Sequence, residues 1–356
     1  MKTLYFSAIY QGGHEYFDRK TIENLSLVSD TTVMTPPNWI KDKLNNVHII
    51  ETGIIGQKTK YPHLDLIKTS LKNYKNAKKI IKEKDIDILV AGEFEILTIW
   101  LLVLFTKKHI VLIHHYNIDQ MERQPFYKKL FDLFKNRVFH VVLEPFIADH
   151  MVFDLGVDAD KVFCWRHPVE FDNNKTQKLV NRKYECVGLS GSNDSEFIHC
   201  LIRKEIEEQQ FERARQRVIL KSALEAYDGR YLNVVTGKIN QEKYNYYVEN
   251  AKTMVVCFPD TYKYRVSAVV MEAIRNRIPV LGSGIRLIEF YKEAYPSIFE
   301  ICAYSDLSYK ISGILNCNSE EQASDFQRFI NDHSDIEIQN AMKKTLQHVK
   351  HYTRKG

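Results

Sequence analysis

The sequence feature that most constrains the fold is an alternation of short apolar runs with longer amphipathic stretches. Such an alternation is typical of βα units that build a parallel sheet. In the first half of the chain it predicts strands at residues 3–9, 32–34, 47–50, 86–91, 109–114 and 139–143, and a short strand within residues 160–169 that ends in a proline. It predicts helices at about residues 15–27, 64–84, 95–105, 125–134 and 146–155. The pattern therefore predicts one complete βα domain in the first half of the chain.

The alternation stops once and then restarts. Residues 172–178 are polar and follow Pro168, which is the composition of a linker. Beyond them, strands are predicted at residues 185–189, 232–235, 254–258 and 279–281, and helices at 194–210, 241–250, 266–275, 286–293 and from 319 onward. Periodicity does not decide whether residues 218–224 form a strand or a helix. A chain of 356 residues is long enough for two domains.

We therefore predict an α/β protein with two Rossmann-like βα domains whose parallel sheets face each other across a cleft. The predicted domains are residues 1–168 and 169–334, and a C-terminal helix at about 335–356 is expected to pack back on the first domain. Ligands of such sheets bind beyond the carboxyl ends of the strands, so the loops that follow the strands are the places to search for a site.

Composition and charge exclude several classes of protein. The net charge of +5 comes from mixed acidic and basic residues, which is unlike a nucleic-acid-binding surface. Six scattered cysteines form no C-x-x-C pair, as expected of buried thiols in a reducing compartment. The longest apolar run, residues 96–105, falls short of the roughly 20 residues that span a membrane. We expect a cytoplasmic protein, and contact with the inner face of the cell membrane stays open.

Two loops of the first half carry candidate catalytic residues. Gly12 and Gly13 follow the first strand, where paired glycines let the backbone approach an anion; a tight turn is the alternative. His14 is then either a proton acceptor or a solvated loop residue. His114 and His115 end another strand and can accept a proton near neutral pH. Because side chains alternate along a strand, only one of these two shares the inward face.

Two loops of the second half carry candidate ligand-binding residues. The small residues Ser190, Gly191, Ser192 and Asn193 can hold a diphosphate; the alternative is a plain turn in which Ser192 or Asn193 caps the next helix.

The second of these loops leads into the predicted helix at residues 266–275. Lys263 and Arg265 enter this helix together with Ser267, so their charge and the helix N-terminus act on the same anion. Glu272 lies two turns further on, among apolar residues, where ribose hydroxyls would satisfy its carboxylate. An ion pair with Arg275 or Arg277 is the alternative.

This last segment resembles the GT-B glycosyltransferases. Residues 269–281 match the superfamily pattern x-x-x-x-E-A-x-x-x-x-x-P-V-[IL], and residues 156–169 resemble its domain crossing. The resemblance implies that Glu272 holds the ribose of a nucleotide and that Arg265, with Lys263, faces its diphosphate. Tyr264 stands where many retaining members have a second Glu, and the loop at Ser190 lacks the Gly-Lys pair of relatives. The stereochemical outcome is therefore open.

The resemblance is strongest to bacterial polysaccharide-assembly transferases. It implies transfer of a sugar, of hexosyl type, from a nucleoside-diphosphate sugar to a hydroxyl of a glycan or lipid-linked glycan. We expect a UDP-sugar as donor, no other cofactor and no metal. A nucleotide-sugar 2-epimerase and a non-catalytic partner subunit are the alternatives. Basic residues at 68–84 and 126–139 suit anionic lipid headgroups, or else form two solvated helix faces.

Overall fold

The chain folds into two compact α/β units. The computed structural model describes residues 1–10, 14–41, 44–56, 62–169 and 182–352. Unit 1 consists of Met1–Pro168 and His333–Gly356, and unit 2 of Val169–Asp332. Each unit contains a seven-stranded sheet. The predicted α/β fold with two Rossmann-like domains is confirmed.

Unit 1 has an all-parallel sheet with the strand order β3-β2-β1-β4-β5-β6-β7. The strands are β1 (Lys2–Phe6), β2 (Asp30–Met34), β3 (Val47–Ile50), β4 (Ile88–Ala91), β5 (His109–Ile113), β6 (Phe139–Val142) and β7 (Val162–Cys164). The helices are α1 (Glu15–Ser26), α2 (Pro62–Lys84), α3 (Ile96–Phe105), α4 (Asn117–Arg123), α5 (Pro125–Asp132) and α6 (Pro145–Phe153). Strand order reverses between β1 and β4, so their carboxyl ends form the switch point of this sheet.

The chain returns to unit 1 after completing unit 2. The return segment is α14 (Asp335–His351), which packs against α1 and β7. Trp165 donates from its indole nitrogen to Thr345 Oγ1 at 2.9 Å. His333 Nε2 and Glu144 Oε1 are 2.9 Å apart and both side chains are fully buried. Unit 1 is therefore assembled from two distant stretches of chain.

Unit 2 has the strand order β10-β11-β9-β8-β12-β13-β14, and only β10 runs antiparallel to its neighbour among the described pairs. The strands are β8 (Tyr184–Gly188), β9 (Val218–Lys221), β10 (Tyr227–Asp228), β11 (Leu232–Val235), β12 (Ala251–Val256), β13 (Val280–Gly282) and β14 (Phe299–Ile301). The helices are α7 (Ser195–Glu208), α8 (Gln210–Ala214), α9 (Gln241–Glu249), α10 (Ala268–Arg275), α11 (Arg286–Ala294), α12 (Leu307–Leu315) and α13 (Ser319–Asp332). Here the switch point lies between β8 and β12.

Two helix starts differ from their predicted positions. Helix α10 begins at Ala268 rather than at residue 266, because the hydroxyl of Ser267 accepts a hydrogen bond from Val270 N and caps the helix. Helix α7 is capped by Asp194, which accepts from Glu196 N at 3.0 Å. The alternative that Ser192 or Asn193 caps this helix is therefore wrong. Within the described ranges, no helix is both long and apolar enough to cross a membrane.

Candidate functional site

The two predicted binding loops of unit 2 lie at its switch point, because β8 and β12 are neighbours in the sheet. The buried side chain of Asn193 joins three strand ends there. Its amide nitrogen donates to Gly188 O at 3.0 Å and to Lys221 O at 3.1 Å, and its oxygen accepts from Cys257 N at 3.3 Å. The amide of Asn193 therefore ties the carboxyl ends of β8, β9 and β12 together.

The rest of this loop is small and partly open to solvent. Ser190 is buried, and its hydroxyl accepts a hydrogen bond from Ser192 N at 3.1 Å. Gly191 and Ser192 are exposed. Small and exposed residues thus lie between the end of β8 and the N-terminus of α7.

The loop after β12 places Arg265 in a three-layer stack. The rings of Phe258 and Tyr262 lie parallel, with centroids 4.1 Å apart and an interplanar angle of 12°. The Arg265 guanidinium lies 3.9 Å from the centroid of Tyr262. Lys263 is exposed in the same loop. Stacking on an aromatic face orients a guanidinium, so Arg265 is held just before the N-terminus of α10.

Glu272 lies in the second turn of α10 and is half-buried. Tyr244, in the first turn of α9, donates its hydroxyl to Glu272 Oε2 at 2.5 Å. Burial raises the pKa of Glu272, while the hydrogen bond from Tyr244 and the charge of Arg275 act in the opposite direction. The predicted alternative, an ion pair with Arg275 or Arg277, is not found among the described contacts. The carboxylate is thus oriented by a neutral donor and has acceptor sites left for a diol.

Tyr244 contacts the candidate residue Glu272, and the sequence analysis did not identify it. It precedes Glu272 by 28 positions, and only the fold brings the two together. A local signal does exist, because Asn240 caps α9 by accepting from Lys243 N at 2.8 Å. That cap places Tyr244 in the first turn of its helix, near the carboxyl edge of the sheet.

In unit 1, two of the three candidate histidines meet at the switch point. The rings of His14 and His115 pack edge to face with centroids 4.9 Å apart. His14 Nε2 lies 3.7 Å from a carboxylate oxygen of Glu93, which follows β4 and is buried. His115 Nε2 is 2.9 Å from Gly92 O. Burial lowers the pKa of both histidines, and that of His115 lies well below its usual value.

The third candidate, His114, points into the interior. Its side chain is 2% exposed, and its Nε2 lies 2.9 Å from Nδ1 of His140. The rings of Phe94 and Phe131 pack edge-on against it. Burial lowers the pKa of His114 well below its usual value. As the alternation of side chains requires, only His115 of the two adjacent histidines is partly exposed at the carboxyl edge of the sheet.

Two further findings complete the description of the site. Gly12 and Gly13 lie outside the described residues. Across the part of the chain that the structure describes, no group of three or more His, Cys, Asp or Glu side chains is placed to hold a metal ion.

Comparisons with known proteins identify the fold. No protein-family model and no curated protein sequence matches the chain. Solved structures do match it over almost its whole length. A glycosyltransferase from Rickettsia africae aligns with a TM-score of 0.64 at 15% identity, covering 100% of this chain and 99% of that one. The Anabaena protein HepE, solved with UDP and glucose, aligns with a TM-score of 0.64 at 12% identity over 98% of this chain and 99% of its own.

A third match is the lipopolysaccharide outer core galactosyltransferase WaaB. It aligns with a TM-score of 0.59 at 11% identity, covering 98% of this chain and 99% of its own. All three neighbours are two-domain glycosyltransferase structures of the GT-B kind. The chain has the GT-B fold, as residues 269–281 indicated.

Proposed function

We propose that this chain is a glycosyltransferase that moves a hexosyl group from a nucleoside-diphosphate sugar, specifically a UDP-sugar, to a hydroxyl of a glycan or lipid-linked glycan. The Glu272 carboxylate carries the proposal, because Tyr244 holds it at the carboxyl edge of unit 2 in a chain with the GT-B fold. The names of the neighbours support the donor and the pathway: HepE is solved with UDP-glucose, and WaaB acts in lipopolysaccharide assembly. We place the chain in bacterial surface polysaccharide synthesis.

The reaction breaks the bond between the anomeric carbon and the donor phosphate oxygen and forms a bond from that carbon to the acceptor oxygen. Negative charge develops on the leaving diphosphate. Arg265, Lys263 and the N-terminus of α10 lie together and stabilise such charge. We propose that these groups balance the charge without a metal ion, and that Ser267 contributes by capping α10.

For an inverting transfer, we propose His14 as the general base that accepts the acceptor hydroxyl proton. Its side chain is 30% exposed, so it can reach a substrate, and the buried carboxylate of Glu93 lies 3.7 Å from its Nε2. A carboxylate beside an imidazole stabilises the imidazolium that forms when the proton arrives. His115 supports the His14 ring from the side, and His114 is left out because its ring is buried.

We also propose that unit 1 binds the acceptor and rests on an anionic membrane surface. All seven lysines of α2, from Lys68 to Lys84, are exposed. Phe126 on α5 is 62% exposed, Leu133 just after it 68%, and Phe105 at the end of α3 67%. Helix α3 packs against both α2 and α5, so these apolar and basic side chains belong to neighbouring helices. Basic residues beside exposed apolar ones are typical of peripheral membrane contact.

A panel of donors tests the proposed function. The purified chain is incubated with UDP-, GDP- and dTDP-sugars, with and without EDTA, and the products are separated. We expect slow release of UDP from one UDP-sugar, unaffected by EDTA, and loss of that release in Glu272→Gln. An epimerised sugar would instead indicate a 2-epimerase, and no change with any donor would indicate a non-catalytic subunit.

The same assay tests whether His14 is the general base. His14→Gln should lower the rate of transfer to an acceptor sugar by about a hundredfold or more, the usual contribution of a general base. Binding of the donor should be unchanged, because His14 belongs to unit 1 and the donor loops to unit 2. His199→Gln, an exposed histidine of unit 2, is the matched control. An unchanged transfer rate in His14→Gln would remove His14 from the proposal.

A further inference from the structure

Lys221 is a cation at the switch point of unit 2 that no motif of the sequence singles out. It is the last residue of β9, the strand beside β8, and it follows Leu220, the partner of Gly188 in the register. Its carbonyl oxygen accepts from the Asn193 amide at 3.1 Å, which fixes its backbone against the loop at residues 190–193. The side chain is half-buried.

The ammonium group of Lys221 lies over the small loop after β8. A Cβ built on Gly191 would lie 3.8 Å from Lys221 Nζ, an ordinary van der Waals distance. Because residue 191 has no side chain, the space beside the ammonium stays open on the exposed side of the loop. A cation from β9 thus stands above a loop that has no cation of its own.

The charge of Lys221 is available for a ligand. No carboxylate of the described residues lies within ion-pair distance of its ammonium. Asp194, which follows the loop, and Glu225, which comes soon after Lys221, have other partners: Asp194 accepts from Glu196 N and caps α7, and Glu225 pairs with His199 at 3.1 Å. The N-terminus of α7 beside the same loop is already capped by the Asp194 carboxylate, so the cation near this loop is Lys221. A lysine without a carboxylate partner favours a phosphate group.

We propose that Lys221 binds the diphosphate of the nucleotide donor and supplies, from the neighbouring strand, the cation that the loop at residues 190–193 lacks. This inference rests on the proposed function and adds a residue to its donor site. Arg265 and the N-terminus of α10 then hold one side of the diphosphate, and Lys221 holds the other. Glu272 holds the ribose.

Calorimetric titration of the full chain with UDP and with uridine tests the proposal, since uridine lacks the diphosphate. We expect Lys221→Met to raise the dissociation constant of UDP about tenfold, the effect of losing one charge-assisted contact. Uridine binding should be unchanged, and Lys221→Arg should restore most of the affinity for UDP. Lys238→Met is the matched control, because Lys238 is an exposed lysine after β11, two strands away from β8.

Each contrary result has a defined meaning. Three results would each overturn the role of Lys221. The first is that Lys221→Met weakens the binding of UDP and of uridine equally. The second is that Lys238→Met weakens UDP binding as much as Lys221→Met does, and the third is that Lys221→Met leaves UDP binding unchanged. Wild-type chain that binds neither UDP, GDP nor dTDP would overturn the proposed function itself. The wild-type titration therefore separates the two failures.

Discussion

At the scale of single residues, the ionisation of Glu272 is set by opposing effects. Burial favours its neutral form, whereas the Tyr244 hydroxyl and Arg275 favour the carboxylate. A carboxylate accepts up to about four hydrogen bonds, so one bond from Tyr244 leaves sites for two ribose hydroxyls. Tyr244 thus both orients the carboxylate and keeps it charged, and its removal should show up in how UDP binding depends on pH.

We predict that Tyr244→Phe weakens UDP binding by about tenfold at pH 7, because an oriented charge-assisted hydrogen bond is lost. Without that bond the pKa of Glu272 rises further, so the loss of UDP affinity on acidification should begin at a higher pH than in the wild type. Titrations between pH 5 and 8 measure both effects. Tyr246→Phe, an exposed tyrosine of the same helix that bonds to Lys183, should behave like the wild type.

The sequence predicts site residues where a local pattern carries the information. Glu272 and Arg265 lie within one continuous segment, so their helix and loop spacing suffices to propose them as candidates. Tyr244, Lys221 and Glu93 were not found, because each reaches its partner through sheet topology rather than through sequence spacing. No local rule indicates that a helix start or a strand end 28 or more residues away will lie beside a given side chain.

At the scale of elements, the central strands were predictable because both of their faces are buried. The side chains of β4 are all buried, and the sequences of such strands are short apolar runs. Residues 218–224 were ambiguous because β9 has only four residues before the chain turns away at Ser222. The elements α4, β10, β14 and α12 were not predicted. The first three have only seven, two and three residues, which give little periodic signal.

Helices α2 and α5 give rise to a prediction at this scale. If their basic and apolar surface rests on anionic lipid, the chain should sediment with vesicles of phosphatidylglycerol and phosphatidylcholine at low salt, and less so at high salt. Each lysine near such a surface contributes about 1 kcal/mol. The double variant Phe126→Asp with Leu133→Asp should remain in the supernatant. Leu224→Asp, which alters a residue 80% exposed in unit 2, is the control.

A chain that stays in the supernatant at low salt would contradict membrane contact. The basic surfaces of α2 and α5 would then be solvated helix faces, which is the alternative the sequence left open. The proposed glycosyl transfer would stand in either case, because it depends on the loops at the switch points and not on these helices.

At the scale of the whole molecule, buried histidines make stability sensitive to acid. Burial lowers the pKa of His140 and of His167 to about 4, and that of His114 well below its usual value. Between about pH 6.5 and 4 the unfolded chain therefore binds protons that the folded chain does not. The contribution of these neutral histidines to the free energy of unfolding is therefore complete above pH 6.5 and is lost as the pH falls toward 4. Asp18 acts in the opposite direction, because burial raises its pKa to about 6.

We predict that the urea midpoint of unfolding falls between pH 7.5 and pH 5. Each fully buried histidine that stays neutral lowers the free energy of unfolding by about 1.4 kcal/mol for every pH unit below 6.5. His140→Gln should reduce the slope of stability against pH, even if it lowers stability at pH 7.5. His351→Gln, at the exposed end of α14, should leave the slope unchanged. A midpoint that does not move with pH would contradict the assignment of neutral histidines to the folded state.

The return of α14 to unit 1 has a consequence for how the protein is made. The indole of Trp165 is buried and bonded to Thr345, so this part of unit 1 is completed by a helix that lies beyond all of unit 2 in the chain. On the ribosome, residues 1–168 emerge first but lack their last helix until unit 2 has been synthesised. During that interval the surface of α1 and β7 that α14 covers stays exposed, and transiently exposed apolar surface of this kind is prone to aggregation.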